Sequence, residues 1–442
     1  MLARFFEFEK HNTTYRREIL AGVTTFLTMA YIIVVNPAIL KNAGIPVGPS
    51  TVATILAAVV GTLMMALYAR RPFAVAPYMG ENAFIAFTVV IGLKYSWQAG
   101  ITAVLVGGIM FILLTAFKLR SWLSTAIPTN LKFAFVVGIG LFLTFIGLMD
   151  TGIVVKAAAP GVPVQVGNIR DPEVLLAIFA FVLMSLFMAR RINGAILYSM
   201  VLTTIAAFGL KAAGVAMPNV YYPQGVFSLP PSIGEIAFKF DFATVLSVGF
   251  LPILLTVFLM DFVDTLGTLI GVSSRAGFLD EEGNLPDIEK PMMCDAVATV
   301  VGACCGTTTT GAYIESAAGV EEGGRTGMTS LVTAGLFLLA LFFTPILTVI
   351  PRCAYGPALI IVGIMMIDAV RIIDFKDITE LVPAFVVIVL MCFTYNLGIG
   401  ITAGFVMYPL VKLISGRVKE VNIGTWILGG ISLIFYIFFP YM

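Results

Sequence analysis

The chain alternates between apolar runs, most of them close to the length of a membrane-spanning helix, and short polar turns. About 20 apolar residues in a helix cross the hydrocarbon layer of a bilayer. On this criterion the candidate spans are residues 19–36, 50–69, 73–92, 99–117, 129–149, 172–189, 193–214, 243–271, 290–306, 308–322, 326–349, 356–370, 378–395, 398–415 and 421–440. The pattern predicts an all-α polytopic membrane protein.

Two of these runs are interrupted in a similar way. Pro72 and Pro77 precede Gly80 in one run, and four consecutive threonines, residues 307–310, stand between two glycines in the other. Proline disrupts a helix, and threonine next to glycine favours extended backbone. Irregular backbone at membrane depth is tolerated only where it is buried in protein or lines a cavity. We expect a broken segment at both places, with a half-helix that begins near mid-membrane and offers free N–H donors and a partial positive charge at its N-terminus.

The composition excludes several classes of protein. Hydrophobic residues make up 59% of the chain and charged residues 12%, with a mean hydropathy of +1.01, whereas soluble domains are about 25% charged. A net charge of +1 provides no basic surface for nucleic acid. The only histidine, His11, lies in the polar N-terminal tail, and the cysteines lack metal-ligand spacing. We therefore expect neither an enzyme nor a nucleic-acid-binding protein, and no metal ion or cofactor.

Basic residues predict the topology. If the N-terminus is cytoplasmic, every second loop carries a basic cluster, as positive-inside topology requires. Examples of these clusters are Arg70/Arg71, Lys118/Arg120, Arg190/Arg191 and Lys412/Arg417/Lys419. No cleavage site follows the N-terminal tail, so the first span is expected to be retained. The pattern indicates a multi-pass protein of the cell (plasma or inner) membrane with a cytoplasmic N-terminus.

The two halves of the chain share short matches whose shift drifts steadily, as small deletions would produce. The matching pairs are Ile127-Pro128 with Ile350-Pro351, Glu81-Asn82-Ala83 with Glu315-Ser316-Ala317, and Thr25-x-x-Thr28 with Thr265-x-x-Thr268. The matches favour a duplicated unit. Seven spans in each unit would place the second copy upside down, and such inverted repeats are typical of transporters that bind substrate near mid-membrane.

Carboxyl groups inside the apolar runs are candidates for function because a charge at membrane depth costs several kcal/mol, about 2.5 or more. These groups are Asp261, Asp264, Glu81 and Glu315, and no lysine or arginine lies within their spans. A buried acid without a basic partner disfavours its ionised form, and this suits a proton-coupled carrier. Alternatives stay open: Asp261 could face water or cap a backbone group, and Glu81 could lie near the membrane interface.

Several motifs resemble one family. They are the opening Arg17-Glu18-Ile19-Leu20-Ala21-Gly22-Val23-Thr24-Thr25, Asp264-Thr265-Leu266-Gly267-Thr268, Tyr313-Ile314-Glu315-Ser316-Ala317-Ala318-Gly319 and Gly323-Gly324-Arg325-Thr326-Gly327. The sequence resembles the nucleobase/ascorbate transporter superfamily, in its azaguanine-type purine permease branch, over nearly the whole chain.

The resemblance implies about 14 segments in two inverted repeats of seven, with short strands in segments 3 and 10. The implied divisions are a cytoplasmic tail (1–18), a core domain formed by 19–126 and 241–349, and a gate domain formed by 127–240 and 350–442. The last apolar stretch, 421–440, is a fifteenth candidate span, one more than the fourteen segments that the resemblance implies.

The resemblance also implies the site. Asp264 and Glu315 match the acidic positions that contact the base and take part in proton coupling, and Asp261 is a further candidate for the proton. Gly80 and Asn82 match a Gly-x-Asn motif of segment 3. Thr28, Thr268 and Thr310 are further candidates for substrate contact, and Thr268 stands where uracil-type relatives place a histidine.

We therefore expect a proton-coupled importer of purine nucleobases (adenine, guanine or hypoxanthine) that works by alternating access, with no cofactor besides the co-transported proton. A uracil, xanthine or urate carrier of the same fold is an alternative, and an anion transporter is a weaker one because the intramembrane charges are acidic. A homodimer is expected from the resemblance alone.

Overall fold

The computed structural model describes residues 2–117, 127–159, 161–280 and 285–438, and the chain in these ranges is mostly helical. The helices are α1 (Leu2–Phe5), α2 (Tyr15–Met29), α3 (Ile32–Lys41), α4 (Val47–Met64), α5 (Met79–Ala83), α6 (Trp97–Ala116), α7 (Thr129–Asp150), α8 (Pro172–Ala189), α9 (Ala195–Ala212), α10 (Phe242–Val245), α11 (Leu251–Ala276), α12 (Glu289–Cys305), α13 (Ser316–Glu321), α14 (Gly327–Ala340), α15 (Thr344–Leu347), α16 (Arg352–Ile367), α17 (Ile378–Phe393), α18 (Leu397–Ile414) and α19 (Ile423–Phe438). π-Helical turns extend α4 and α5 over Met65–Ala69 and Phe84–Gly92.

Within the described ranges, ten helical stretches are long and apolar enough to cross a membrane, and three shorter apolar helices accompany them. The polytopic helical architecture is thereby confirmed. The first predicted span is part of a longer stretch, Tyr15–Lys41, and the run 308–322 holds a strand and a short helix instead of one continuous helix. The count of 14 segments stays a prediction.

Four short strands complete the described structure: β1 (Val75–Pro77), β2 (Val154–Lys156), β3 (Val164–Val166) and β4 (Thr310–Ala312). β1 and β4 pair antiparallel, so the strands expected in the two broken runs are confirmed. β2 and β3 form a hairpin that the sequence analysis did not predict. Its residues are exposed or half-buried, so no apolar pattern marks it.

The helices pack in two groups. In the first, α12 packs on α6 and α4, α14 packs on α2 and α4, and α11 packs on α6. In the second, α7 packs on α16 and α17, α17 packs on α18, and α8 packs on α9 and α16. The predicted core and gate boundaries stay predictions. The boundary at 126, the basic residues Lys118 and Arg120, and the end of the last candidate span lie outside the described residues.

The Glu18 side chain connects the first turn of α2 to the start of α14. Its fully buried carboxylate accepts hydrogen bonds from the N–H groups of Arg325 (3.1 Å), Thr326 (3.4 Å) and Thr329 (3.2 Å), and from the Thr329 hydroxyl (2.6 Å). N–H groups at the start of a helix such as α14 have no acceptor within the helix. The opening motif and the motif ending at Gly327 therefore meet in a helix cap.

An ionic cluster holds the second group together where α17 begins and α18 ends. The ammonium group of Lys412 is fully buried, 2.7 Å from a Glu380 oxygen and 2.8 Å from a Glu420 oxygen. Arg417 lies 2.6 Å from both Asp377 and Glu420. The basic residues that sequence analysis assigned to topology thus also connect α17, α18 and the turn that follows α18.

This cluster predicts a loss of stability in acid. Hydrogen bonds from Thr379 and Arg417 lower the pKa of Asp377 to about 2, and bonds from Arg417 and Lys412 lower the pKa of Glu420 to about 2. Both values lie below those of an unfolded chain, about 4. The stabilisation is therefore fully present above about pH 4.5 and is lost as the pH falls towards 2.

We expect the melting temperature in detergent to fall with decreasing pH over this range, and to fall less steeply in Arg417→Met, because both carboxylates then lose a donor. Differential scanning fluorimetry at several pH values measures this difference. Parallel pH profiles for the wild type and the variant would contradict the assignment.

Candidate functional site

The pairing of β1 with β4 is the framework of the site. All residues of both strands are buried. Beyond the strand ends, Tyr78 N–H donates to the Thr309 carbonyl oxygen and Tyr313 N–H donates to the Ala74 carbonyl oxygen, each at 2.9 Å. Because the two strands satisfy each other's polar groups, non-helical backbone is tolerated in the buried interior.

Two tyrosines brace the strand pair. The rings of Tyr78 and Tyr313 are nearly parallel, with centroids 6.1 Å apart. The Tyr78 hydroxyl donates to the Ala312 carbonyl oxygen at 3.2 Å, and the Tyr313 hydroxyl donates to the Pro77 carbonyl oxygen. Gly311 lies against the Tyr78 ring, with no room for a Cβ atom. Sequence analysis missed this role, although each tyrosine directly follows its strand.

Glu315 lies between β4 and α13 and is half-buried. The Tyr31 hydroxyl donates to its Oε1 atom at 2.5 Å. The Thr28 hydroxyl lies 3.4 Å from the Glu315 carbonyl oxygen, and it also donates to the Thr24 carbonyl oxygen at 3.0 Å. The structure therefore brings Thr28 next to Glu315, while Tyr31 is the side chain that contacts the carboxyl group.

The start of α13 differs from a free helix end. The N–H groups of Ser316, Ala317 and Ala318 donate to carbonyl oxygens three residues earlier, at 3.0–3.1 Å. Free donors were expected at both half-helices. At α13 these three donors are already engaged by backbone, so the side chain of Glu315 is the polar group that this segment offers.

Asp264 and Asp261 lie one turn apart on α11 in different surroundings. Asp264 is half-buried and lines a small cavity with Ile139 of α7. Asp261 is buried and faces Asp295 and Thr299 of α12. Asp264 is thus the aspartate at the seam between the two helix groups, and Asp261 lies inside the first group.

Asn82 belongs to a buried polar network. Its Nδ2 atom donates to Asn36 Oδ1 at 2.7 Å, and Asn36 Nδ2 donates to the hydroxyls of Thr54 (2.7 Å) and Thr307 (2.9 Å). All four side chains are buried. The structure therefore places the Asn82 amide in the packing of α3, α4 and α5, and its contact with substrate stays a prediction.

The remaining predicted residues lie in three environments. Thr310 is buried in β4, where its N–H and carbonyl groups each bond the Thr299 hydroxyl at 3.0 Å. A Cβ atom on Gly80 would lie 3.8 Å from Asp264 Oδ2, so this glycine brings the start of α5 close to α11. Thr268 lies one turn beyond Asp264 and is half-buried.

Glu81 is the residue that sequence analysis left unassigned. It is fully buried, not at an interface, because α5 begins directly after buried β1. Neither of its oxygens has a hydrogen-bond partner in the described part of the chain, and its strongest electrostatic neighbours are Asp264 and Asp261. The match of Glu81 with Glu315 between the two halves was the available signal.

The site is acidic, and the described part of the chain offers it no basic counterpart. None of the ion pairs among the described residues involves Glu81, Asp261, Asp264 or Glu315. Tyr313 lies within electrostatic reach of three of these acids. A carboxylate accepts hydrogen bonds and a carboxylic acid also donates them, so the site can pair with the N–H and C=O edges of a polar heterocycle.

Spanning helices, a buried strand pair and a group of acids without a basic partner among the described residues are typical of a polytopic membrane transporter. Residues 16–406 match the model of the Permease family. The chain belongs to this family, the nucleobase/ascorbate transporters, and is a permease and not an enzyme.

Two relatives are informative. The chain is 39% identical to the adenine permease AdeP of Escherichia coli over 422 residues, 96% of this chain and 93% of AdeP. It is 39% identical to the guanine/hypoxanthine permease PbuG of Bacillus subtilis over 449 residues, 99% of each chain. The solved transmembrane domain of the cyanobacterial bicarbonate transporter BicA shares the fold, with a TM-score of 0.63 and 17% identity over 88% of this chain and 97% of that chain.

Proposed function

We propose that this protein imports purine nucleobases, namely adenine, guanine or hypoxanthine. The observation that carries the proposal is the near full-length similarity to AdeP and PbuG, whose names specify these bases. The acidic site supports it, since purines present N–H donors and ring-nitrogen or carbonyl acceptors that carboxyl groups can bind.

Asp264 and Glu315 are proposed to bind the base. They come from α11 and from the segment after β4, and both lie within electrostatic reach of Tyr313. Tyr31 holds the Glu315 carboxyl group in place through its 2.5 Å hydrogen bond. Charge-assisted hydrogen bonds of this kind are short and contribute more than neutral ones.

Transport is proposed to be driven by protons and to occur by alternating access. Asp264 lies beside Ile139 at the seam between the two helix groups, so movement of one group against the other would change which side of the membrane reaches it. The protein is proposed to lie in the cell membrane, with its N-terminus on the cytoplasmic side. It is also proposed to form a homodimer.

BicA transports bicarbonate, but sharing its fold at 17% identity is not evidence that this chain transports an anion. An anion site needs basic side chains or an uncharged cradle of donors. None of the ion pairs among the described residues involves the intramembrane acids Glu81, Asp261, Asp264 and Glu315. The more serious alternative is a uracil, xanthine or urate carrier.

Uptake of radiolabelled hypoxanthine, guanine and adenine into cells lacking their own purine carriers tests the proposal. We expect accumulation of at least one base, and its collapse when a protonophore is added. Accumulation of none of the three, with the protein shown to be folded in the membrane, would overturn the purine assignment; the same assay with uracil, xanthine and urate then tests the alternative. Accumulation that resists the protonophore would overturn proton coupling.

A further inference from the structure

The buried carboxyl group of Glu81 has no role in the site proposed above, yet it is a neighbour of Asp264, one of the two acids proposed to bind the base. Glu81 is 0% exposed, and neither oxygen meets a hydrogen-bond donor in the described part of the chain. A buried charge in this state costs several kcal/mol unless it is neutralised. The Glu81 carboxyl group therefore needs a ligand that neutralises its charge or gives it a hydrogen bond.

The group that faces Glu81 is itself an acid. α5 begins so close to α11 that a Cβ atom on Gly80 would lie 3.8 Å from Asp264 Oδ2, and the carboxyl groups of Glu81 and Asp264 interact directly. Two facing carboxylates repel each other when both are ionised. A single proton between them converts the repulsion into an O–H···O⁻ hydrogen bond, which is short and strong.

The other groups around Glu81 do not offer a competing cation. The titratable groups facing it are Asp264 and Asp261 on α11 and Tyr313 after β4. α3 and α7 contribute Asn36 and Ile139 near this turn of α5. The described residues contain no cluster of three or more His, Cys, Asp or Glu side chains with metal-binding geometry. A proton is therefore the ligand that fits, in preference to a metal ion with several oxygen ligands.

We propose that Glu81 and Asp264 together bind one transported proton, and that Glu81 is the residue that carries it while Asp264 accepts a hydrogen bond from the base. This inference rests on the proposed proton-coupled function. On the outer side a Glu81 carboxylate oxygen takes a proton from a hydronium ion, which leaves as water, and the new O–H group donates a hydrogen bond to Asp264. On the inner side the base leaves, and the same O–H bond breaks as the proton returns to water.

Glu81 and Glu315 have different roles: Glu81 carries the proton, and Glu315 contacts the base. Glutamine at position 81 resembles the protonated acid in shape and charge, so it should leave the base site formed but keep that site permanently in the loaded state. Such a carrier can exchange base for base but cannot use a proton gradient. Glutamine at position 315, in contrast, removes a group that contacts the base.

The test uses purified full-length protein in liposomes, with wild type, Glu81→Gln and Glu81→Asp. Glu9→Gln serves as a matched control because Glu9 is exposed in the N-terminal tail. Two quantities are measured with the labelled purine that the wild type prefers: accumulation driven by an imposed pH gradient, and counterflow exchange without a gradient. We expect Glu81→Gln to lose accumulation by about tenfold or more while retaining measurable exchange. Glu81→Asp and Glu9→Gln should still accumulate the base.

Gradient-driven accumulation by Glu81→Gln equal to that of the wild type would overturn the inference and leave the proposed function intact. If the wild type exchanges base but does not accumulate it when a pH gradient is imposed, that result would instead overturn proton coupling itself. If Glu81→Gln does not fold, infrared difference spectra of wild type and Glu315→Gln between two pH values give the second readout. A titrating carboxylic C=O band that survives Glu315→Gln supports the shared proton, and the absence of any such band overturns it.

Discussion

Replacing Glu315 with glutamine, or Asp264 with asparagine, is expected to abolish concentrative uptake while leaving the protein in the membrane. Each change keeps the side-chain volume and removes the charge. At position 315 the bond from Tyr31 would no longer be charge-assisted. At position 264 one of the two acceptor oxygens would become an NH2 donor. Hydrogen bonds to charged groups contribute about 1.5–3 kcal/mol, which corresponds to roughly tenfold to hundredfold weaker binding.

The measurement is uptake of labelled purine over time, at equal amounts of membrane-inserted protein. Tyr31→Phe provides a graded comparison, because it removes one donor to Glu315 and keeps the carboxyl group. We expect it to weaken uptake less than Glu315→Gln does. Wild-type accumulation in both Glu315→Gln and Asp264→Asn would show that the base binds elsewhere.

Replacing Glu18 with alanine is expected to destabilise the protein strongly, because it removes the cap of α14. The carboxylate accepts three backbone hydrogen bonds and one from a hydroxyl at the start of α14, and the side chain is fully buried. Each buried donor left without an acceptor costs about 1–3 kcal/mol. The total loss should therefore exceed about 3 kcal/mol.

Thermal unfolding in detergent measures this effect, with Glu9→Ala as the control at an exposed glutamate. The melting temperature of Glu18→Gln should lie between those of the wild type and Glu18→Ala. The amide keeps one acceptor oxygen, but its NH2 group points at other donors. Equal melting temperatures for Glu18→Ala and Glu9→Ala would show that α14 finds another cap.

The cap also explains two of the motifs on which the family resemblance rests. Glu18 and the residues around Arg325 are more than 300 positions apart in the chain, and their shared role is to join α2 to α14. Their role is structural. The Asp264 and Glu315 motifs differ, because both place a half-buried acid beside the paired strands.

Local chemistry was sufficient to predict much of this protein. Apolar runs of about 20 residues predict spanning helices because a bilayer cannot hydrogen-bond exposed backbone. Pro77 and the threonines at 307–310 predict extended backbone because they disfavour helix, and β1 and β4 form there. The isolated acids were identifiable because a charge in an apolar run is costly wherever the fold places it.

Only the tertiary structure decided which acids and amides share a site. Whether a polar side chain faces a cavity or a packed interior depends on helix rotation and on distant partners, which residue spacing does not specify. Asn82 is buried against Asn36, and Glu81 faces Asp264, because α5 starts from a strand that pairs with β4 far along the chain. The sequence by itself determined a membrane permease with carboxyl groups inside its apolar runs, where a charge is energetically costly. The long-range strand pairing determined which of those acids meet.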